Sequence, residues 1–287
     1  MKVSVAIVNA FVDGSNGGNP AGVVLDADEL TTDQKQAIAR EVGLSETAFV
    51  SRSRVAGFKL EFFTPTRQIA HCGHATIATF SYLSQQGLVP EANTSKETID
   101  GIRAIQVNGD FAYMEQLGPG YTQIADQAAD VLQALGLDKD SIIMAPMIAN
   151  TGNSFILVGV KDLQTLKNIN PDQRQIEKLS ETFDLIGFYV FTLETSQTGR
   201  DASTRMFAPR YGIAEESATG MAAGPLACYL HDHLGIVKDA YQIEQGYCMA
   251  QPSPSCIHVS LEKKGTDITS LSAGGTGVVS RVIQIEI

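Results

Sequence analysis

Glu46 is the first residue whose type and surroundings could support chemistry, because it interrupts a stretch of core-forming residues, 44–50, that is typical of a β-strand. Alternation would place Glu46 on the same face as Ala48 and opposite to Phe49. In a dry cleft, a glutamate has a raised pKa and can take up and return a proton near neutral pH. At a sheet edge the same residue would face water. Two interpretations stay open: a general acid/base, or an outward-facing surface residue.

A second group of reactive side chains lies in the sequence His-Cys-Gly-His at residues 71–74. Three potential ligands within four residues at a helix start cannot easily close a tetrahedral zinc site, and no CxxC or HxxxH spacing supports one. We therefore expect no metal. A thiol just before a helix N-terminus has a lowered pKa, which would make Cys72 a nucleophile or a base. For His71 we expect packing alone.

Most of this region returns later in the chain in an altered form. Residues 62–83 resemble residues 206–230, and pairing Gly73 with Gly220 aligns the next ten positions without a gap. Cys72 then meets Thr219, which cannot act as a matching acid or base, so we favour a small buried residue as the role of Cys72. Two copies of a segment predict two similar domains, each contributing half of one site.

The second copy carries about three extra residues around positions 214–217, and these include Glu215 and Glu216. One of these carboxylates is expected to face the site and the other to be solvated. His74 aligns with Met221 across the repeat. The second half offers no glutamate to match Glu46, because Ile186 and Gly187 stand at that place.

Each copy predicts an extended run, a loop, and a glycine that opens a helix. The helices should cover residues 73–86 and 220–233, with Gly87 and Gly235 as left-handed caps. Both are apolar or small nearly all round, which is typical of a helix buried on most sides. Pro225 should kink the second helix or restrict its hydrogen bonding.

Two such helix N-termini in a shared cleft would form an anion site of carboxylate size, because helix N-termini carry unpaired N–H groups and partial positive charge. His74 could merely pack in the first helical turn. We favour a role as proton carrier or substrate donor, since its neighbours form this anion site.

The remaining pattern predicts two similar domains, each a sheet wrapped around a central helix. Domain one should comprise residues 1–117 plus 272–287, and domain two residues 118–271. A helix capped by Thr31 or Thr32 should run through Val42 and end at Gly43. Residues 108–110 should turn a hairpin. A turn-rich loop is expected at residues 13–20. Further strands are expected near 2–11, 21–25, 58–63, 99–107, 111–116, 142–148, 154–160, 183–193, 241–245 and 256–261, and a helix at 124–135; the tail, 273–287, should return to the first sheet.

Composition excludes several classes of function. The 287 residues carry a net charge of −11 without a cluster of Lys and Arg, which argues against binding to nucleic acid or an anionic membrane. No apolar run approaches the ~20 residues of a membrane span, and the start reads as a strand rather than a secretory signal. Four cysteines without a CxxC pair indicate a reducing, cytoplasmic setting.

Four motifs, in order along nearly the whole chain, resemble the phenazine-biosynthesis isomerase (PhzF-like) family. They are GGNPAGVV, SETAFV, FFTP followed by CGHAT, and FAPxxGIxEExATG followed by GPLACYL. The resemblance implies the α+β fold of diaminopimelate epimerase, with two similar domains, each a barrel-like mixed sheet around a central helix, related by a pseudo-two-fold axis. It also implies a site between the domains, a homodimer, and no metal or organic cofactor.

The resemblance also implies roles for individual residues. Glu46 matches the catalytic glutamate, His74 the active-site histidine and Glu216 an active-site aspartate. The expected substrate-binding residues are Asn19, Cys72, Gly73, Thr219, Gly220 and Met221.

The sequence departs from the family pattern in its second half. Glu216 replaces an aspartate, Ser217 a proline, Met221 a small polar residue and Gln251 an arginine. Loss of an arginine that would pair with a carboxylate is not conservative. We therefore expect a cofactor-independent isomerase of a small carboxylate, and we do not carry over the phenazine precursor as its substrate. An amino-acid racemase or epimerase, and an inactive small-carboxylate-binding protein, are the alternatives.

Overall fold

The computed structural model describes residues 1–14 and 17–287 and divides the chain into two compact units. Unit 1 comprises Met1–Glu115 and Gly274–Ile287, and unit 2 comprises Gln116–Ala273. Residues 15 and 16, within the loop predicted at 13–20, lie outside the described residues. That the predicted domains, 1–117 plus 272–287 and 118–271, each fold independently stays a prediction.

Unit 1 consists of eight paired strands, one short strand and two helices. The strands are β1 (Lys2–Ala10), β2 (Asn19–Val24), β3 (Thr47–Ser51), β4 (Phe58–Phe63), the short β5 (Gln68–Ile69), β6 (Asn93–Thr98), β7 (Gly101–Asn108), β8 (Phe111–Leu117) and the end of β17 (Asp267–Glu286); the helices are α1 (Thr32–Val42) and α2 (Gly73–Gln85). Unit 2 contains β9 (Gly120–Gln123), α3 (Ala128–Leu135), β10 (Met147–Asn150), β11 (Ser154–Gly159), α4 (Leu163–Asn168), α5 (Gln173–Thr182), β12 (Gly187–Thr192), β13 (Ala202–Ala208), β14 (Ile213–Glu216), α6 (Gly220–Asp232), β15 (Ala240–Gln245) and β16 (Ser255–Lys264).

The strands of unit 1 close into a barrel. Antiparallel pairs β1–β2, β3–β4, β6–β7 and β7–β8 alternate with parallel pairs β2–β3 and β4–β6. The tail strand β17 pairs with β1 and with β8, which completes the ring and confirms that the tail returns to the first sheet. Lys2 stands opposite Glu286 and Ala10 opposite Gly277.

Helix α2 packs against β1, β2, β3 and β7. Ten of its 13 residues are buried, including Ile77, Phe80 and Leu83. Burial of each such large apolar side chain stabilises the fold by roughly 1.5–3 kcal/mol. The helix ends as predicted, because Gly87 adopts a φ of 68° and Leu88 N–H reaches back to the carbonyl of Leu83 at 2.9 Å.

Helix α1 is shorter and amphipathic, and its caps are those that the sequence predicts. The Thr31 hydroxyl accepts a hydrogen bond from Gln34 N–H, and the Gln34 side chain accepts one from Thr31 N–H, which forms a capping box. Its inner face supplies Ile38 to a core cluster with Val5 and Phe49.

Unit 2 repeats the same plan. Its pairs β10–β11, β12–β13 and β15–β16 are antiparallel, and β11–β12 and β13–β15 are parallel, as in unit 1. Helix α6 also has ten buried residues of 13 and runs through Pro225 as one element. The repeat thus reaches beyond the aligned motifs to the whole order of strands, and the predicted α+β fold class is confirmed.

Several predicted boundaries are wrong. The strand expected at 44–50 begins only at Thr47 and is buried on both faces, so alternation carries no information there. The helix expected at 124–135 begins at Ala128, after a 3₁₀ turn. The strand expected at 142–148 is limited to one bridge at Ile142 and to β10. Strand β6 and helices α4 and α5 were not predicted. Across the described ranges 1–14 and 17–287, each helix is too short or too polar to cross a membrane.

Candidate active site

Glu46 lies at the junction of helix α1 and strand β3. Gly43 ends α1 with a φ of 67°, and the chain then turns so that the Glu46 carbonyl accepts a hydrogen bond from Gly22 N–H at 3.0 Å. A side chain at position 22 would collide with Thr47, since a Cβ there would lie 2.8 Å from Thr47 Oγ1. Gly22, the third glycine of the GGNPAGVV motif, therefore lets β2 approach β3 and fixes the backbone that carries Glu46.

The side chains of Glu46, Cys72 and His74 lie together in unit 1. His74 Nε2 is 3.3 Å from Glu46 Oε2, and His74 Nδ1 is 3.6 Å from Cys72 Sγ. The imidazole ring thus stands between the carboxylate and the thiol. Glu46 is 9% exposed and His74 is 5% exposed. Of the two interpretations of Glu46, the outward-facing surface residue is wrong.

The Glu46 carboxylate is suited to accept a proton. Its Oε2 atom is buried and receives no hydrogen bond of good geometry from the residues that the structure describes. Hydrogen bonds to a carboxylate stabilise its charged form and weaken it as a base. An acceptor oxygen that is shielded from water and not occupied by a donor keeps a lone pair available.

Cys72 is held in its thiol form. Burial raises the pKa of Cys72, and the charge of Glu46 raises it further, against the opposing effect of His74. The lowered thiol pKa that the helix N-terminus predicts is therefore outweighed. A protonated thiol is a poor nucleophile and a poor metal ligand.

The three side chains could in principle meet a metal ion, since their potential ligand atoms lie within 4.8 Å of one another. The two ring nitrogens of His74 face different partners, however, Nε2 towards Glu46 and Nδ1 towards Cys72. An ion bound to one ring nitrogen would have one of the other two donors on the far side of the ring. This arrangement suits proton exchange better than tetrahedral coordination, and the predicted absence of a metal stays a prediction.

Helix α2 starts beside this cluster. Cys72 is the N-cap residue with extended backbone, Gly73 is the first helical residue, and the Cys72 side chain makes no capping hydrogen bond. The first N–H groups of a helix have no partner within the helix. Gly73 N–H is thus placed to donate to an external acceptor.

His71 lies against a buried lysine rather than in the reactive cluster. Its Nδ1 is 3.2 Å from Lys96 Nζ. Burial, together with the positive charges of Lys96 and Arg103, lowers the pKa of His71 to about 3. The ring is therefore neutral at physiological pH, in agreement with the packing role predicted for it.

Asn19 is buried at the start of β2, opposite Ala10 of β1. Strands β2 and β3 run parallel, with Gly22 beside Thr47. Asn19 and Glu46 therefore lie at the same end of two adjacent strands.

In unit 2, Glu216 and Thr219 form a hydrogen-bonded pair at the start of helix α6. Glu216 ends β14, Thr219 is the N-cap of α6, and the Thr219 hydroxyl donates to Glu216 Oε2. The fully buried Gln245 holds both residues: its amide nitrogen donates to Glu216 O at 2.7 Å and to Thr219 Oγ1 at 3.1 Å, and its Oε1 accepts from Thr219 N–H at 3.1 Å.

Gln245 is a site-supporting residue that the sequence analysis missed. Tyr189 OH donates to its Oε1 at 3.0 Å, and Thr204 Oγ1 donates to that phenol at 3.0 Å, so the network continues into the core of unit 2. The sequence held no signal for this role, because the burial of Gln245 and the φ of 81° at Gly246 are known only from the structure.

Gly220 and Met221 form the first turn of α6. Gln116 Nε2 donates to the Gly220 carbonyl at 3.0 Å, and Thr151 Oγ1 donates to Gln116 Oε1 at 2.7 Å. Asn153 Nδ2 lies 3.5 Å from Met221 Sδ. As in α2, the side chain of the N-cap residue, here Thr219, makes no capping hydrogen bond.

Glu215 is not solvated, which corrects the expectation for the two adjacent glutamates. Both of its carboxylate oxygens accept hydrogen bonds from Arg205, each at 2.8 Å. Arg205 also donates to the carbonyls of Leu166 and Ile169 at the end of α4. Glu215 therefore neutralises a buried structural arginine.

Unit 2 has no room for a second glutamate in the place of Glu46. Phe63 corresponds to Phe207 in the repeat. Thr47 stands opposite Phe63, and Phe188 stands opposite Phe207, so Phe188 is the counterpart of Thr47. The residues directly before these two, Glu46 and Gly187, are therefore counterparts as well. A Cβ at Gly187 would overlap the Phe207 carbonyl oxygen. The two halves of the repeat are therefore chemically unequal.

Comparison with known proteins places this chain in one family. The family model described as phenazine biosynthesis-like protein matches residues 8–282. The trans-2,3-dihydro-3-hydroxyanthranilate isomerase of Pseudomonas chlororaphis is 32% identical over 278 residues, which cover 95% of each chain. The crystal structure of a Bacillus anthracis phenazine biosynthesis protein of the PhzF family is 29% identical, with a TM-score of 0.90 over 100% of both chains.

The fold also extends to more distant enzymes. A hydroxyproline epimerase from Agrobacterium vitis shares it with a TM-score of 0.60 and 15% identity, over 99% of this chain and 91% of that one. The fold is thus epimerase-like, and the relative from Pseudomonas chlororaphis is named an isomerase. The chain belongs to the phenazine biosynthesis-like family, and it is an isomerase of that family.

Proposed function

We propose that this isomerase moves a proton on a small carboxylate substrate without a cofactor, and that Glu46 is its general acid/base. The single observation that carries the proposal is the nearly buried Glu46 Oε2, which lies beside His74 and accepts no well-formed hydrogen bond from the described residues. Removal of a proton from carbon requires a base that is desolvated, aimed and close to the C–H bond.

The proposed reaction conserves atoms and electrons. Glu46 takes a proton from a substrate carbon, and the C–H electron pair moves into an enolate-like system conjugated with the carboxylate. The protonated Glu46 then returns the proton to another carbon, and the electron pair becomes the new C–H bond. His74, 3.3 Å from Glu46, can donate a hydrogen bond to the substrate or share the proton.

The substrate carboxylate is assigned to the backbone N–H groups of Gly73 and Gly220. These groups begin α2 and α6, and in neither helix does the side chain of the N-cap residue make a capping hydrogen bond. Donors at a helix N-terminus favour an anion and stabilise the charge that grows as the enolate forms. That both helices serve one substrate is part of the proposal and rests on the repeat and on family membership.

The remaining predicted residues keep supporting roles. Asn19 and Cys72 would contact the substrate from unit 1 as polar, uncharged groups. Thr219 orients Glu216, which would act as a second polar or acid group, and Met221 would help to choose the substrate. Since Met221 and Gln251 replace polar and charged family residues, we expect an acid other than trans-2,3-dihydro-3-hydroxyanthranilate, on which the relative from Pseudomonas chlororaphis is named to act.

A racemase or epimerase of similar fold is the second candidate, supported by the fold shared with hydroxyproline epimerase. Such an enzyme needs two opposed bases. Gly187 excludes a second glutamate at the equivalent position, so Glu216 would have to serve, although it already accepts a hydrogen bond from Thr219.

The test is incubation of the protein in heavy water with cyclic and amino carboxylates, trans-2,3-dihydro-3-hydroxyanthranilate included, followed by mass spectrometry and NMR. The proposal expects deuterium at a carbon other than the one that loses its proton. Deuterium at the original carbon with inverted configuration would instead establish the racemase. Tight binding of an acid without any labelling would establish a binding protein. The homodimer and the cytoplasmic location expected from the family stay predictions.

A further inference from the structure

Lys96 is a fully buried cation in a site built to hold an ammonium group. It lies in β6, and its Nζ atom donates to Thr76 Oγ1 at 2.6 Å and lies 3.2 Å from His71 Nδ1. The ammonium also stands over the ring of Phe62, 5.1 Å from the ring centre. An ammonium has three donors and no acceptor. A hydroxyl, a neutral imidazole nitrogen and an aromatic face match that need.

The direction of the hydrogen bonds follows from this chemistry. Because the ammonium can only donate, Thr76 Oγ1 must accept from Lys96. The hydrogen of the Thr76 hydroxyl is then free to donate to the Cys72 carbonyl, which lies 2.6 Å away. The same carbonyl also accepts from Thr76 N–H at 3.3 Å. A polarised relay therefore runs from the ammonium to one backbone carbonyl.

That carbonyl belongs to the peptide group whose N–H is on Gly73. Hydrogen bonds in a chain polarise one another, and a donor at the C=O end of a peptide makes its N–H a stronger donor. Charge-assisted hydrogen bonds are roughly twice as strong as neutral ones. We propose that Lys96 is a positioning residue: through Thr76 it polarises the peptide group whose N–H, on Gly73, holds the substrate carboxylate. This inference rests on the proposed function for its ligand.

The relay is specific to unit 1. In the repeat, Thr76 aligns with Ala223, which has no hydroxyl. Lys59 of unit 1 corresponds to Ser203 of unit 2; Lys59 stands beside Glu97, and Ser203 stands beside Glu244. Lys96 directly precedes Glu97, and Ile243 directly precedes Glu244, so Ile243 is the counterpart of Lys96. The strengthened donor therefore lies in the same unit as Glu46, where negative charge develops first.

The relay should respond to pH. Burial lowers the pKa of Lys96 to about 7; Arg103 acts to lower it and Asp100 to raise it, while the nearby Cys72 is an uncharged thiol in this range. His71, the other titratable group in contact, is neutral in this range. The polarisation is thus present below about pH 7 and fades as Lys96 loses its proton above that pH.

The test compares Lys96→Met, Thr76→Val and Thr76→Ser with wild type by NMR of the ¹⁵N-labelled protein without ligand. The Gly73 amide shift reports hydrogen bonding at the carbonyl of its own peptide group. We expect Lys96→Met and Thr76→Val to move this signal upfield and to remove a titration step near pH 7. Thr76→Ser keeps the hydroxyl, so we expect it to keep the wild-type shift and the titration step. Thr79→Val is the matched control, because Thr79 makes the same bond to the Ala75 carbonyl, at 2.7 Å, one turn further along the helix.

Binding of anthranilate, a stable carboxylate, supplies the second readout. Loss of about one hydrogen bond's net free energy predicts a roughly fivefold to tenfold higher Kd for Lys96→Met and Thr76→Val, and an unchanged Kd for Thr79→Val. Lys35→Met, at another buried lysine of unit 1 that pairs with Glu61, should alter stability and leave the Gly73 signal in place.

Two results would overturn the inference. One is a Gly73 signal and titration that Lys96→Met and Thr76→Val leave unchanged; the other is an equal change caused by Thr79→Val. If wild type fails to bind any carboxylate, the proposed function fails, while the ligand-free spectra still decide whether Lys96 polarises Gly73.

Discussion

Cys72 shows how burial can reverse what position in the sequence suggests. Its place before a helix favours a thiolate, but burial and the nearby Glu46 raise its pKa, so it carries its proton. We predict that Cys72→Ala retains activity within a factor of about ten of wild type, well short of the ~10²–10⁴-fold loss typical of a removed general base. Chelators should have no effect on turnover.

The control for thiol removal is Cys228→Ala, at a buried cysteine of α6 whose pKa burial raises to about 12. Loss of turnover in Cys72→Ala but not in Cys228→Ala would refute the carboxylate mechanism in favour of a thiol mechanism. Loss of turnover on chelation, with recovery on addition of zinc, would refute it in favour of a metal mechanism.

His71 makes the protein sensitive to acid. Its pKa is about 3 in the folded protein and near 6.5 in the unfolded chain, so the unfolded state binds more protons between these values. Its contribution to stability is therefore complete above about pH 6.5 and is lost as the pH falls towards 3. We predict that His71→Gln loses less stability than wild type between pH 7 and pH 4.5, measured by urea unfolding. Equal losses in the two proteins would contradict the assignment.

The residues that sequence alone could identify are those with reactive side chains in unusual places. Glu46 stood out within a strand-like stretch, and His74 and Cys72 stood out at a helix start. Lys96 and Gln245 could not be found in this way, because a single lysine or glutamine in a strand is ordinary until its burial is known. Their roles depend on partners 20 or more positions away in the chain, such as Thr76 for Lys96 and Thr219 for Gln245.

Helix caps and tight turns were the most predictable elements. The Thr31 capping box, the glycine ends of α1 and α2, and the two-residue hairpin between Asn108 and Phe111 are all confirmed, since each depends on a local backbone requirement. Strand β6 and helix α5 were missed. The polar sequence of β6 lacks an apolar alternation, and α5 starts at a helix cap, Asp172, that was overlooked.

Strand β12 leads to a prediction about the inequality of the two units. A Cβ at Gly187 would overlap the Phe207 carbonyl oxygen. We predict that Gly187→Ala destabilises unit 2 by about 1–3 kcal/mol, the usual cost of overpacking. Gly120→Ala is the control, because the nearest atom to its added Cβ would be the Asn150 carbonyl oxygen at 4.0 Å. If both variants unfold at the same denaturant concentration as wild type, position 187 can hold a side chain, and the claim that unit 2 has no room for a second glutamate is wrong.

The chain as a whole is a repeat whose order of strands is conserved while its chemistry is not. Unit 1 holds Glu46, His74 and the Lys96 relay, whereas unit 2 holds Glu216 within a network around Gln245. The two-fold plan could be predicted from 22 residues and their altered copy, because the motif includes the central helix around which each sheet is built.

The final strand ties the last residues of the chain to the first. Strand β17 pairs with β1 from Lys2↔Glu286 to Ala10↔Gly277 and also pairs with β8. We predict that deletion of residues 274–287 opens the barrel of unit 1, so the amides of β1 lose protection from hydrogen exchange while those of β11 and β12 keep it. Unchanged protection of β1 would show that β17 is dispensable for unit 1.

The central claim is that Glu46 takes the proton from carbon, and the most direct measurement is solvent deuterium incorporation by Glu46→Gln. The amide keeps the shape of the side chain and cannot accept the proton. With a substrate identified for wild type, we predict that Glu46→Gln binds it with a similar Kd and incorporates deuterium ~10²–10⁴-fold more slowly. Incorporation at the wild-type rate would remove Glu46 from the mechanism and leave His74 or Glu216 as the base.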